Sequence, residues 1–147
     1  MTLRIANPYG PWQNWNSAQG AVAVFCHKIM NREAIELFGD GSVARDFIYI
    51  DDVIDAFLAA IDAPVLTDSV NIGSGTCRTL KEMISVIEGN LGLPARIQSL
   101  PSRGCDVPRS FLDISKAACV LNWAPRTSFA EGIERTIAWQ RANPKAY

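Results

Sequence analysis

Short strand-like runs that break off at glycine or proline alternate along this chain with stretches of helical periodicity. That alternation constrains the fold more than any other feature. Leu3-Arg4-Ile5-Ala6 reads as a strand, and Asn7-Pro8-Tyr9-Gly10-Pro11 stops it, because two prolines and a glycine deny the backbone a regular ladder. Val22, Phe25 and Ile29 recur at helical spacing between Gly20 and Arg32. Ile35-Glu36-Leu37-Phe38 alternates as a strand does, Gly39-Asp40-Gly41 carries turn chemistry, and Val43 to Ile50 predicts another strand. Asp51-Asp52 opens a helix in which Ile54, Phe57, Leu58 and Ile61 fall at i, i+3, i+4 and i+7, predicting a half-buried helix that stops near Pro64.

Ser69-Val70-Asn71-Ile72 is a further strand, ending at Gly73-Ser74-Gly75. Two capping boxes follow. Thr79-Leu80-Lys81-Glu82 precedes Met83, Ile84, Ile87 and Leu91, and Ser128-Phe129-Ala130-Glu131 starts a terminal helix carrying Phe129, Ile133 and Ile137. Alternation without repeats predicts an α/β fold, or α+β for the piece taken alone, with residues 1–147 forming a single domain. A chain of this length, 48% hydrophobic, builds a core without disulfides or metals.

The 14 basic and 15 acidic side chains leave a net charge of −1, which argues against a nucleic-acid partner, since duplex binding needs a surplus of Lys and Arg. The longest apolar stretches, such as Ala21 to Phe25 and Ala56 to Ile61, are far short of the roughly 20 residues that span a bilayer, so no membrane partner is expected. Met1 to Pro8 has no apolar core of a secretory signal, and a cytoplasmic location follows as an expectation. Cys26, Cys77, Cys105 and Cys119 form no C-x-x-C pair and His27 is the single histidine, which predicts no metal site.

Gly39-Asp40-Gly41-Ser42-Val43-Ala44 formally matches G-x-G-x-x-G/A, but a strand follows instead of a helix, so a hairpin turn is the better reading. Gly73-Ser74-Gly75 has Arg78 where that fingerprint needs a small residue, although its backbone could approach a ligand. Asp51 and Asp52 are read as a helix cap and dipole partner, His27 as an edge position, and the cysteines as packing residues. Two arginines point to an anion. Arg45 shares a strand face with Phe47, and Arg103 lies in the loop Pro101-Ser102-Arg103-Gly104-Cys105-Asp106-Val107-Pro108, which sets a guanidinium beside a carboxylate.

Taken in order, these blocks resemble the C-terminal half of the NAD-dependent nucleotide-sugar epimerase/dehydratase family, the extended short-chain dehydrogenases. Leu3 to Pro11, Phe38-Gly39-Asp40-Gly41, and Arg45-Asp46-Phe47-Ile48-Tyr49-Ile50-Asp51-Asp52-Val53 carry the likeness. Asn71-Ile72-Gly73-Ser74-Gly75, Asp113-Ile114-Ser115-Lys116-Ala117 and Leu121-Asn122-Trp123-Ala124-Pro125 extend it nearly end to end. Trp139-Gln140-Arg141-Ala142-Asn143-Pro144 is similar to the ending of the UDP-glucose 4-epimerase branch.

The resemblance implies a UDP-sugar partner. Asn7 would bind its diphosphate or sugar, and the backbone at Gln19 and Gly20, where a helix starts, its phosphates. The strand Glu36-Leu37-Phe38 would meet the uracil edge, Arg45 and Arg103 the pyrophosphate, and Asp106 a ribose hydroxyl. Phe47 stands where the branch often has tyrosine, keeping stacking without the hydroxyl, and Ser110 stands where an aromatic residue is common. Pro8, beside Asn7, would touch the nicotinamide end of NAD. No catalytic residue is carried over. The family's Tyr-x-x-x-Lys pair is missing, because Tyr9 is followed four positions on by Gln13, Tyr49 by Val53, and Tyr147 is the last residue. The Gly-rich NAD turn is missing too. The expectation is the substrate-binding portion of such an enzyme without most of its Rossmann half: catalytically incompetent, holding no NAD by itself, and prone to homo-oligomerise through the exposed edge at Leu3. A fragment of a 4,6-dehydratase or another sugar epimerase, and a non-catalytic binding module or folded relic, are the competing expectations.

Overall fold

The computed structural model describes residues 1–17, 19–63 and 68–146; Pro64 and Tyr147, both used above, lie outside them. The elements in order are β1 (Thr2–Ile5), β2 (Asn7–Tyr9), α1 (Ala21–Met30), β3 (Ala34–Phe38), β4 (Ala44–Arg45), β5 (Phe47–Tyr49), α2 (Ile50–Asp62), β6 (Ser69–Ile72), β7 (Arg78–Thr79), α3 (Leu80–Leu91), β8 (Arg96–Leu100), β9 (Arg109–Ser110), α4 (Ser115–Leu121) and α5 (Phe129–Ala142). Three parallel pairs, β1 with β6, β2 with β5 and β3 with β8, accompany a three-stranded sheet ordered β7-β4-β9. The expected mixed α/β class holds.

The apolar stripes read from the sequence account for one core. Val22, Phe25 and Ile29 of α1, Met83, Ile84 and Ile87 of α3, and Phe129, Ile133 and Ile137 of α5 are all buried together, closed by Ile35 and Leu37 of β3. A second core lies between the β1-β6 pair and the helices α2 and α4, with Val53, Ala56, Val70, Ile72, Ala117, Leu121 and Trp123 inside. Ile50 packs against both.

Several expectations need correction. Asn7-Pro8-Tyr9 is not irregular: it forms β2, paired on one side with β5, where the missing proline amide costs no ladder bond to a second neighbour. Val43 to Ile50 is two short strands in different sheets, broken at Asp46, whose carboxylate is drawn inward to Ser74. Gly39 and Gly41 do turn the chain, at φ +72° and +75°, but β3 and β4 are not paired, so the turn joins two sheets and is no hairpin. Helix α2 is capped by no side chain. Its Asp52 is buried and accepts from the main-chain N–H groups of Arg126 (3.0 Å) and Thr127 (3.1 Å), pinning the chain ahead of α5. Helix α2 is half-buried as the spacing predicts, but through Asp52, Val53 and Ala56, while the periodic stripe of Ile54, Phe57, Leu58 and Ile61 is about half exposed or more. Of the cysteines only Cys26 is a core residue; Cys105 and Cys119 are exposed, and Cys77 accepts from the Arg109 guanidinium at 2.9 Å. His27 is partly exposed, as an edge position requires, and stacks on Trp15 with ring centroids 5.0 Å apart.

Candidate functional site

Helix α1 begins without a cap. Gly20 sits at φ +90°, no side chain bonds the first turn and no acidic residue occupies it, so the helix presents its positive end and free amides. A Cβ on Gly20 would come within 2.8 Å of the Gln13 side chain, whose amide donates to the Pro8 carbonyl at 3.2 Å. The loop before α1 is thereby laid over β2. Residues of α1, β2, β3, the β4–β5 junction and the 101–108 loop then enclose a cavity of about 1350 Å³.

All ten residues singled out from the sequence line this one cavity: Asn7, Pro8, Gln19, Gly20, Glu36, Phe38, Arg45, Phe47, Arg103 and Asp106. Asn7 is aimed by its amide, which donates to the Asp46 carbonyl at 2.7 Å. Glu36 and Phe38 lie on the face of β3 opposite the buried Ile35 and Leu37, as the two-residue period requires. Arg45 and Phe47 reach the cavity from two different strands, since Asp46 separates them. The Arg45 guanidinium donates to the carbonyls of Val107 (2.6 Å) and Ala44 (2.9 Å), tying the 101–108 loop down. Arg103 does not sit in an ion pair with Asp106 among the described residues; its guanidinium lies 3.5 Å from the centre of the Phe38 ring.

Three cations, Lys28, Arg45 and Arg103, line the cavity against two carboxylates, Glu36 and Asp106, so it suits an anion that also carries neutral polar groups. Sequence reasoning missed Lys28, although Ala21, Val24, Phe25 and Lys28 share one helical face and all four line the wall. It also passed over Asp46, a charge inside an apolar run. Gly73-Ser74-Gly75 lies away from the cavity lining: Gly73 packs on the Asp46 carboxylate and Ser74 donates to it.

Neither described tyrosine is poised to exchange a proton. Tyr9 is buried, its hydroxyl donates to the Phe129 carbonyl at 3.3 Å, and burial drives its pKa far upward. Burial also raises Tyr49, opposed by the Arg135 guanidinium 5.6 Å from its ring centre. The described residues form no cluster of three metal-ligating side chains, and none of the described helices is long and apolar enough to cross a membrane. The glycine turns also fail to fit NAD: neither Gly39-Asp40-Gly41 nor Gly73-Ser74-Gly75 connects a strand directly to the N-terminus of a helix, which a dinucleotide pyrophosphate needs.

The sequence pattern of the NAD dependent epimerase/dehydratase family matches residues 1–73. A UDP-glucose 4-epimerase of Mycolicibacterium smegmatis is 37% identical over 136 residues, covering 92% of this chain and 44% of that protein. A dTDP-4-dehydro-6-deoxyglucose reductase of Escherichia coli is 36% identical over 137 residues, covering 93% and 43%. Among solved structures, the UDP-glucose 4-epimerase of Thermotoga maritima with UDP-glucose superposes with a TM-score of 0.92 at 34% identity, over 97% of this chain and 46% of that one. The chain therefore spans less than half the length of these relatives.

Proposed function

The chain belongs to the NAD dependent epimerase/dehydratase family, and from that premise we propose that its cavity binds a UDP-sugar, as the nucleotide-sugar portion of a UDP-glucose 4-epimerase-like enzyme of the cytoplasm. The observation that carries this reading is the convergence of ten sequence-selected residues from distant segments on one cavity. In it, the main chain around Gln19 and Gly20 and the uncapped first turn of α1, with Arg45 and Arg103, neutralise the diphosphate. Asn7 bonds the diphosphate or sugar, Asp106 a ribose hydroxyl, and Phe47 stacks on the ligand. Among the described residues strand β3 is paired on one edge, with β8, so the main chain at Glu36 and Phe38 has groups to offer a uracil edge.

Pro8 would touch the nicotinamide end of a dinucleotide held by other residues; by this reading the 147 residues hold no NAD alone and do not catalyse. The reductase among the relatives gives the second reading, in which the same cavity serves a different reaction on a nucleotide sugar. Isothermal titration with UDP, UDP-glucose and UDP-galactose tests the site. Saturable heat is expected, weakened at least about tenfold by Arg45→Ala, since a charge-assisted bond to phosphate is lost. No heat at millimolar UDP overturns the proposal, and 4-epimerase turnover with added NAD overturns the incompetence.

A further inference from the structure

Lys28 is half-buried on the cavity wall and makes no ion pair among the described residues; the Glu33 amide bonds only its carbonyl. It stands eight residues after Gly20, which places it about 12 Å down the axis of α1 from the free amides. A nucleoside diphosphate has a comparable length between its phosphates and the far edge of its base. With the phosphates at the start of α1 and the base along Glu36 and Phe38 of β3, Lys28, which lines the same cavity, would meet the far edge of the base. Glu36, and Arg103 over the Phe38 ring, are the charged groups at that strand.

An ammonium offers three donors and no acceptor. It bonds a ring carbonyl oxygen and is repelled by the hydrogens of an exocyclic amino group. We infer that Lys28 sets base specificity, selecting a nucleotide whose base presents keto oxygens, as uracil and thymine do, over an amino base such as cytosine. The inference rests on the nucleotide-sugar reading above and adds the residue that discriminates the base.

The test titrates UDP and CDP into the wild-type chain, Lys28→Met and Lys28→Arg, with thermal melts confirming that each variant folds. Wild type is expected to favour UDP. Lys28→Met should lose about tenfold in UDP affinity, the loss of one bond to a charged donor, while CDP changes less than about twofold. Lys28→Arg, still a donor, should keep part of the preference. Equal weakening of both nucleotides by Lys28→Met overturns the inference in favour of a merely attractive charge. Unchanged affinities overturn it as well, while leaving the UDP site standing. A wild-type chain that binds no UDP sinks the nucleotide-sugar reading and this inference with it.

Discussion

Arg45 and Asp46 are adjacent and have opposite fates. Arg45 lines the cavity, whereas Asp46 is 1% exposed and makes no ion pair among the described residues; its carboxylate is held by the Ser74 amide (2.8 Å), the Ser74 hydroxyl (2.6 Å) and the Leu112 amide (3.3 Å). Its main chain donates to the Ser110 carbonyl at 3.0 Å and accepts from both nitrogens of Asn7. One residue thus locks three segments and aims two cavity residues, its neighbour Arg45 and Asn7. The lock has no spare room, because a Cβ on Gly73 would sit 2.3 Å from the Asp46 carboxylate. Gly73→Ala is expected to cost about 1–3 kcal/mol by overpacking. Asp46→Ala should cost about 3 kcal/mol by stranding buried donors. Urea unfolding reads both, and a midpoint unchanged in Gly73→Ala would show that this packing does not hold the junction.

At the scale of elements, α3 is the helix whose start is best determined. The Thr79 hydroxyl accepts from the Glu82 amide at 3.1 Å, and the Thr79 amide donates to the Glu82 carboxylate at 2.7 Å. Those bonds hold the Glu82 carboxyl below its ordinary range, the main-chain bond from Thr79 first. Since the folded value is the lower one, the stabilisation is complete above the unfolded value of about 4.3 and is lost as pH falls through the folded value. Thr79→Ala should cost about 1 kcal/mol at neutral pH. Glu82→Gln should flatten the acid limb of a stability profile measured by urea midpoints, and an unaltered limb would refute the sign. This box was legible because all its parts are local. The second was legible only by half: Ser128 accepts from the Glu131 amide at 3.2 Å, but the Glu131 carboxylate bonds Arg135 one turn on, at 2.6 Å. The break at Asp46 was not legible, since a buried carboxylate is explained only by Ser74 and Leu112, distant in sequence. Lys28 escaped for the converse reason: a lysine at helical spacing reads as a solvated face unless the wall opposite is known. Of the ten cavity residues, Arg45, Phe47 and Arg103 stand out by their own chemistry and placement, and the family likeness supplies the other seven.

At the scale of the whole molecule, the two cores differ in how well they are closed. The core of α1, α3 and α5 has its large apolar side chains buried, whereas α2, which covers the β1-β6 pair, has an apolar outer stripe with no cover among the described residues. Ile54 is 50% exposed, Phe57 49%, Leu58 56% and Ile61 76%, a contiguous run of large side chains on one helical face. Strand β1 adds a second open feature, being paired on one edge among the described residues. Periodicity reveals the stripe and a half-buried helix but not which face is covered, because spacing specifies a face and not what lies against it. Water against so much apolar surface is unfavourable by about 25 cal/mol for each Å², so the 147-residue chain is expected to self-associate as its concentration rises. Sedimentation velocity across a concentration series checks this. The double variant Phe57→Lys, Ile61→Lys should shift the population toward monomer while leaving the heat of UDP binding unchanged, because α2 contributes no residue to the cavity. A wild-type chain that stays monomeric at every concentration would refute the role of the stripe, and association that survives the double variant would move it to the open edge of β1.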